Sequence, residues 1–197
     1  MYAHKIEMAE RLVQSATDAL ARADRDLLRD VERAPTALYA TDASGTLTWF
    51  NLACIGLAGR TPAAGRDRWC VTWKLYTEDG RFLPHDECPM AVAIKERRTV
   101  RGLAAIAERP DGTRTAFLAC PTPILDTSRV FLGAVNALVE LTFLELASFY
   151  GGQALRCRRL GKAVNDSFAI DAMARLAEEF AAKARQYRVL GDRSAAL

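Results

Sequence analysis

Pro110-Asp111-Gly112-Thr113 is the feature that most restricts what this chain can become. Proline followed by Asp-Gly reverses a backbone within four residues, and strand-like segments flank the turn on both sides. They read "TVRGLAAIAER" before it and "TRTAFLACPTPIL" after it. Two such segments joined so tightly predict an antiparallel pair. The next segment, "RVFLGAVNALVELT", alternates with period two. Phe131, Gly133, Val135, Ala137 and Val139 share one face, and Leu132, Ala134, Asn136, Leu138 and Glu140 the other, which predicts a half-buried strand.

The same pattern occurs earlier in the chain. "TALYATD" and "GTLTWFN" flank Asp42-Ala43-Ser44-Gly45, a hairpin turn between residues of high strand preference. Between the two groups of strands, "NLACIGLAG" predicts a short helix capped by Asn51. "RTPAAGRDRW" is loop-like, "CVTWKLYTEDG" is apolar but irregular, and "MAVAIKERR" is helical with Met90, Ala93 and Ile94 on one face. Two strands, small helices and three strands specify an α+β domain: a five-stranded antiparallel sheet with helices on one side.

Both ends of the chain have helical period. Over residues 2–31, Tyr2, Ile6, Ala9, Val13, Ala16, Leu20, Ala23 and Leu27 recur at alternating steps of four and three, with charged residues between them. The stripe predicts a homodimer with this helix in the interface. The other way to bury it is against the chain's own domain. Ala34-Pro35-Thr36 ends the helix. From Phe143 a helix runs to Val164, with a potential break at Gly151-Gly152. "NDS" forms a cap-like turn, and a second helix over 168–190 carries the stripe Ile170, Met173, Ala177, Phe180, Ala184 and Tyr187. Residues 143–190 are expected to form a hairpin packed on the domain or on a second subunit, and 191–197 to fray.

Composition excludes more than it identifies. A net charge of +3 with 26% charged residues gives no concentrated basic face for nucleic acid. Arg156, Arg158, Arg159 and Lys162 read first as a solvated helix face and next as a site for an acidic partner protein. No apolar run approaches the ~20 residues of a membrane span, and the N-terminus lacks a signal peptide's apolar core, so a cytoplasmic location is expected. The five cysteines, at 54, 70, 88, 120 and 157, are scattered and contain no CxxC pair. They read as reduced thiols filling a core.

The densest group of chemically capable residues is His85-Asp86-Glu87-Cys88. As a metal site it is poor, because neighbours on a helix diverge and zinc ligands are spaced. As a helix start it is good: Pro84 stiffens the approach, Asp86 caps, Glu87 meets the positive end of the dipole, and Pro89 sits in the first turn. With only His4 and His85 in the chain, no catalytic triad is expected and no catalytic residue is assigned.

Taken together, residues 33–142 resemble the PAS family. "PTALYATDASGTLTWFN" resembles its opening strand pair, "EDGRFLPHDECPMAVAI" its approach to the connecting helix, and "ERPDGTRTAFLACPTPILD" with "VFLGAVNALVELT" its last three strands. Glu140-Leu141-Thr142 stands where the family often ends in Asp-Ile-Thr. The resemblance implies a PAS domain at 33–142 between an N-terminal helix, 1–32, and a C-terminal helical extension, 143–197. It implies a non-enzymatic signalling module that dimerises, engages a partner protein and holds a small ligand, haem, flavin or nothing between sheet and helices. "GRDRWCVTWK" occupies the stretch where flavin photosensors of the superfamily carry "GRNCRFLQ", and its Cys70 is out of register with that motif. The candidate pocket residues are Tyr39, Trp49, Trp73, Met90, Ile94, Phe117 and Asn136. No metal is assigned, and haem has only His85 to offer as an axial ligand near the domain's helices.

Overall fold

The computed structural model describes the backbone of residues 2–194, and the side chains of all of these except 25, 27 and 191–194. Residues 4–140 form one compact unit. Residues 141–194, with Tyr2 and Ala3, form a second.

The first unit is built on the hairpins that the turn residues predict. β1 (Ala37–Asp42) and β2 (Leu47–Phe50) pair antiparallel. The Asp42 carboxylate closes their turn by accepting from the Ser44 and Thr46 amides at 2.8 and 2.9 Å. β4 (Leu103–Glu108) and β5 (Arg114–Ala119) pair across the Pro110 turn, where Asp111 accepts from the Thr113 amide at 2.9 Å. β7 (Phe131–Glu140) is central. It has β1 on one edge, and β5 and β6 (Thr122–Leu125) share the other. β3 (Lys74–Tyr76) adds to β4, giving a seven-stranded antiparallel sheet in the order β2-β1-β7-β5-β4-β3, with β6 on β7.

The sheet therefore has more strands than the five expected. The segment 113–125 is cut in two at Cys120-Pro121, because proline cannot donate to a ladder. The Cys120 amide turns to the Ala137 carbonyl at 3.0 Å and the Asn136 side chain at 2.9 Å. The irregular 70–80 segment yields β3 because Leu75 reaches the core while Lys74 stays exposed and pairs with Glu108. Gly133 is tied to its place: at φ 147°, a Cβ there would stand 1.9 Å from the Thr41 carbonyl on β1.

The expectation of a half-buried β7 is also corrected, since every residue from Gly133 to Val139 is buried. On the inner face, Tyr39, Phe117 and Leu138 pack with Cys54 and Leu57 of α3 (Ala53–Ala58) and with Met90, Ala91 and Ile94 of α4 (Pro89–Glu96). On the outer face, Leu38, Leu118, Val135 and Ala137 are equally buried. Their cover is α1 (Tyr2–Ala21), whose own buried stripe is Ala9, Val13, Ala16 and Ala19. Arg101 beside β4 reaches Glu10 at 3.5 Å, and His4, Lys5 and Met8 share a cavity wall with Leu138, Val139 and Glu140.

Ala9, Val13 and Ala16 of the N-terminal stripe are thus buried within the chain, while Tyr2, Ile6 and Leu20 stay half-buried. The helix is not continuous to residue 31. Ala23 turns left-handed at φ 53°, Asp24 accepts from the Asp26 amide at 3.0 Å, and α2 (Arg25–Glu32) begins afresh. Ala23 is exposed, and the Leu27 side chain of the predicted seam lies outside the described ones.

Asn51 does not cap α3. It is buried, accepts from the Leu38 amide at 3.0 Å and donates towards the carbonyls of Val31, Ala34 and Thr36 at 3.2, 3.3 and 2.9 Å. One amide side chain thereby ties the linker after α2 to β1.

The second unit is a helical hairpin. α5 (Phe143–Gly161) starts with a capping box between Thr142 and Glu145 and runs unbroken through Gly151-Gly152. Asp166 accepts from the Ala169 amide at 3.1 Å and starts α6 (Ser167–Ser194). Helix thus continues into the segment expected to fray, and residues 195–197 of that segment lie outside the described ones. Aromatic rings join the two helices: Tyr150 stacks on Phe180 and on Tyr187 at 6.0 and 5.8 Å. Arg158 pairs with Glu178 at 3.0 Å on the exposed face.

Candidate functional site

The interior between the sheet and α3–α4 holds most of the predicted pocket residues. Tyr39 and Met90 are 0% exposed, Phe117 1%, Asn136 2% and Ile94 5%. Trp73 does not join them. It lies on the surface at 52% exposure, and Trp49 is only half-buried. The backbone at Trp73 is a bend leading into β3, in which alternate residues point apart.

Trp69 is the aromatic that edges the core. Its φ is 66°, and its ring lies flat on Gly45, where a Cβ would stand 2.3 Å from it. Arg68 and Lys95 sit 5.3 and 5.7 Å from the ring centre. The peptide oxygen of Trp69 is pulled inward and accepts from the Tyr39 hydroxyl at 2.9 Å. Asn136 donates to that hydroxyl at 3.1 Å, and its own oxygen accepts from the Cys120 amide. A buried polar track therefore crosses the core from the 60–73 loop through β1 to β7. Burial pushes the Tyr39 hydroxyl well above its usual range, so it stays protonated as a donor.

Two cysteines sit beside this track. Cys88 donates to the Trp69 oxygen at 3.8 Å. The Thr72 hydroxyl donates to Cys70 at 3.2 Å and lies 3.4 Å from His85 Nε2. Because the hydroxyl has one proton and gives it to sulfur, His85 must be the donor to Thr72 Oγ1. The result is a relay, imidazole N–H to hydroxyl to sulfur. The Cys88 thiol, the His85 charge and the Thr72 hydroxyl together hold the Cys70 thiol below its usual range against the opposing effect of burial. Cys70 and burial push the Cys88 thiol up. The other buried thiols in this unit behave as inert filler. Burial raises Cys54 to about 12 and Cys120 to about 11.

The 85–88 segment is a helix start, but its cap is displaced. His85–Glu87 form one 3₁₀ turn, and Cys88, not Asp86, precedes Pro89 at the first position of α4. Residues three apart eclipse in a 3₁₀ turn, so His85 and Cys88 face the same corner while Asp86 and Glu87 remain exposed. That i,i+3 relation was the available signal that His85 and Cys88 act together. Their convergence with Cys70 and Thr72 depends on the fold of the 60–73 loop and has no local pattern. No group of three or more His, Cys, Asp and Glu suited to a metal forms among the described residues. No helix among them is long and apolar enough to cross a membrane.

The opening strand pair, intervening short helices and closing antiparallel strands follow the order that the resemblance implied: the domain has the PAS fold. No family model and no curated protein sequence matches the chain. Among solved structures, the PAS domain of the fruit-fly ELK potassium channel is similar over 59% of this chain and 94% of its own, at 13% identity and a TM-score of 0.48. The Rhodobacter sphaeroides LOV protein is similar over 80% of this chain and 91% of its own, at 15% identity and a TM-score of 0.43. The LOV domain of an Erythrobacter litoralis blue-light activated histidine kinase is similar over 55% of this chain and 98% of its own, at 21% identity and a TM-score of 0.43.

Proposed function

We propose that the chain is a non-enzymatic, cytoplasmic regulatory module. Its PAS domain, residues 33–142, controls a homodimer and a docking surface for a partner protein through the helical extension, 143–197. The observation that carries this reading is the direct run of β7 into α5. Only Leu141 and Thr142 separate the central strand from a helix whose first turn is locked by a capping box. A shift of β7 therefore moves the start of α5.

The hairpin supplies the surface. Leu155 is 66% exposed and Phe168 76%, with Leu144, Leu160 and Val189 also open. Large apolar side chains in such number suit a protein interface better than water. Glu140, where the family often has aspartate, accepts from Thr115 at 3.3 Å, so its contact within the sheet is compatible with a strand that reports on the domain.

A small ligand would be held by Tyr39, Met90, Ile94, Phe117 and Asn136, displacing side chains that now fill the core. That requirement favours a ligand-free or small-ligand module over a haem or flavin sensor. Two readings of freshly purified protein test the proposal. Light scattering is expected to give a dimer at micromolar concentration, and the visible spectrum is expected to be featureless. A monomer at high micromolar concentration removes the dimer, and a Soret or flavin band replaces the reading with that of a cofactor-bearing sensor.

A further inference from the structure

We propose that the groove between α5 and α6 is the docking site for an acidic helix of a partner protein. The inference rests on the reading of the hairpin as a docking surface, and it names what that surface takes. Each helix lines the groove with one stripe. On α5 it runs through Ala147, Gly151, Ala154 and Arg158, at steps of four, three and four. On α6 it runs through Ala181, Ala184 and Arg188, with Arg185 beside it. Such spacing keeps residues on one helix face and suits that face to another helix. The groove measures about 380 Å³. Small side chains make its floor: Ala147 and Ala154 are buried, and Gly151, Ala181 and Ala184 are half-buried. A Cβ added at Gly151 would meet nothing within 4 Å. At the rise of an α-helix, Ala147 and Arg158 stand about 16 Å apart, room for three turns of a third helix.

Charge chooses the occupant. Arg158, Arg185 and Arg188 are exposed at the groove, and among the described residues no acidic side chain lines it. Arg158 bonds Glu178 at 3.0 Å, but both side chains are more than half exposed, so this weak pair is readily exchanged for a partner's carboxylate. The same groove of a second copy does not fit, because a two-fold axis would set these arginines against themselves. A nucleic acid would find no aromatic ring among the lining residues to stack on, and would leave the alanine floor uncovered. A helix with a small apolar stripe between rows of Asp or Glu satisfies floor and rim together. Leu155 also lines the groove and belongs to the surface proposed for the second copy, so a docked helix and a second copy exclude each other there.

The test is fluorescence anisotropy of the full chain with a labelled synthetic peptide of about 18 residues, long enough to be helical. It carries an alanine–leucine stripe flanked by glutamates, and a twin has lysines in their place. The acidic peptide should bind, and the lysine twin about tenfold more weakly. Arg185→Glu with Arg188→Glu should reverse that order. Gly151→Leu should weaken the acidic peptide about tenfold by filling the floor, with the helical circular dichroism retained. Equal binding of the two peptides, no binding of the acidic one at high micromolar concentration, or tighter binding of an RNA oligonucleotide or of phosphatidylserine vesicles overturns the proposal. Sedimentation of the same samples keeps this apart from the dimer. A monomer that binds the acidic peptide upholds the groove and removes the dimer, and a dimer that ignores the peptide removes the groove alone. Should a variant fail to fold, the two peptides on the unaltered chain decide.

Discussion

α1 and the α5–α6 hairpin are both amphipathic, yet they meet opposite fates. The buried face of α1 is made of alanines and one valine, Ala9, Val13, Ala16 and Ala19. The hairpin buries its stacked tyrosines and leaves Leu155 and Phe168 in the open. The difference lies in what each surface fits. Small side chains bury little area of their own, and on the outer face of the sheet Leu38, Leu118 and Val135 supply it. Large protruding side chains need a complementary surface of their own kind, and the hairpin has used its aromatic face internally. A heptad-like spacing therefore says that a stripe will be buried, and residue size says against what.

The strongest way to break the comparison is to give α1 the side chains of the hairpin. Ala16 is 0% exposed, so Ala16→Leu forces extra methylenes between helix and sheet. It should cost about 2 kcal/mol in urea denaturation. If the α1 stripe instead met a second subunit, leucine would tighten that seam, and the variant would be neutral or more stable.

Sequence made the turns and strands legible because their signals are local. Asp42 and Asp111 each close a turn with their own side chain, and period-two alternation marks β7. It also named Asn136 as a residue of the domain interior, where it is 2% exposed and bonds Tyr39 and Cys120. What it hid was non-local. Asn51 looks like a cap because caps are common, whereas its bonds reach back 13 to 20 residues. The site at Cys70 was hidden for the same reason: Thr72, His85 and Cys88 become its neighbours only once the loop has folded against α4.

A smaller effect, which sharpens the first half of the comparison, comes from alkaline titration. Cys54 lies on the inner side of the sheet and Cys120 under α1, and burial raises them from 9.0 to about 12 and about 11. A group whose folded-state value is raised stabilises the fold fully below its unfolded value and loses that contribution as pH climbs. Stability should therefore be level up to about pH 8 and fall between pH 9 and 11, by about 1 kcal/mol per pH unit for each thiol. Cys120→Ala should flatten its share of the slope. An unchanged slope would mean that α1 does not seal the outer face.

The central claim is that the hairpin, rather than α1, presents the surface for a second copy. Sedimentation of the full chain with Leu155→Glu and Phe168→Glu combined tests it most directly. Both positions are exposed, so the helical circular dichroism and denaturation midpoint should shift by no more than about 0.5 kcal/mol. The account predicts that the unaltered chain sediments as a dimer and the double variant as a folded monomer. A double variant that still sediments as a dimer would contradict it.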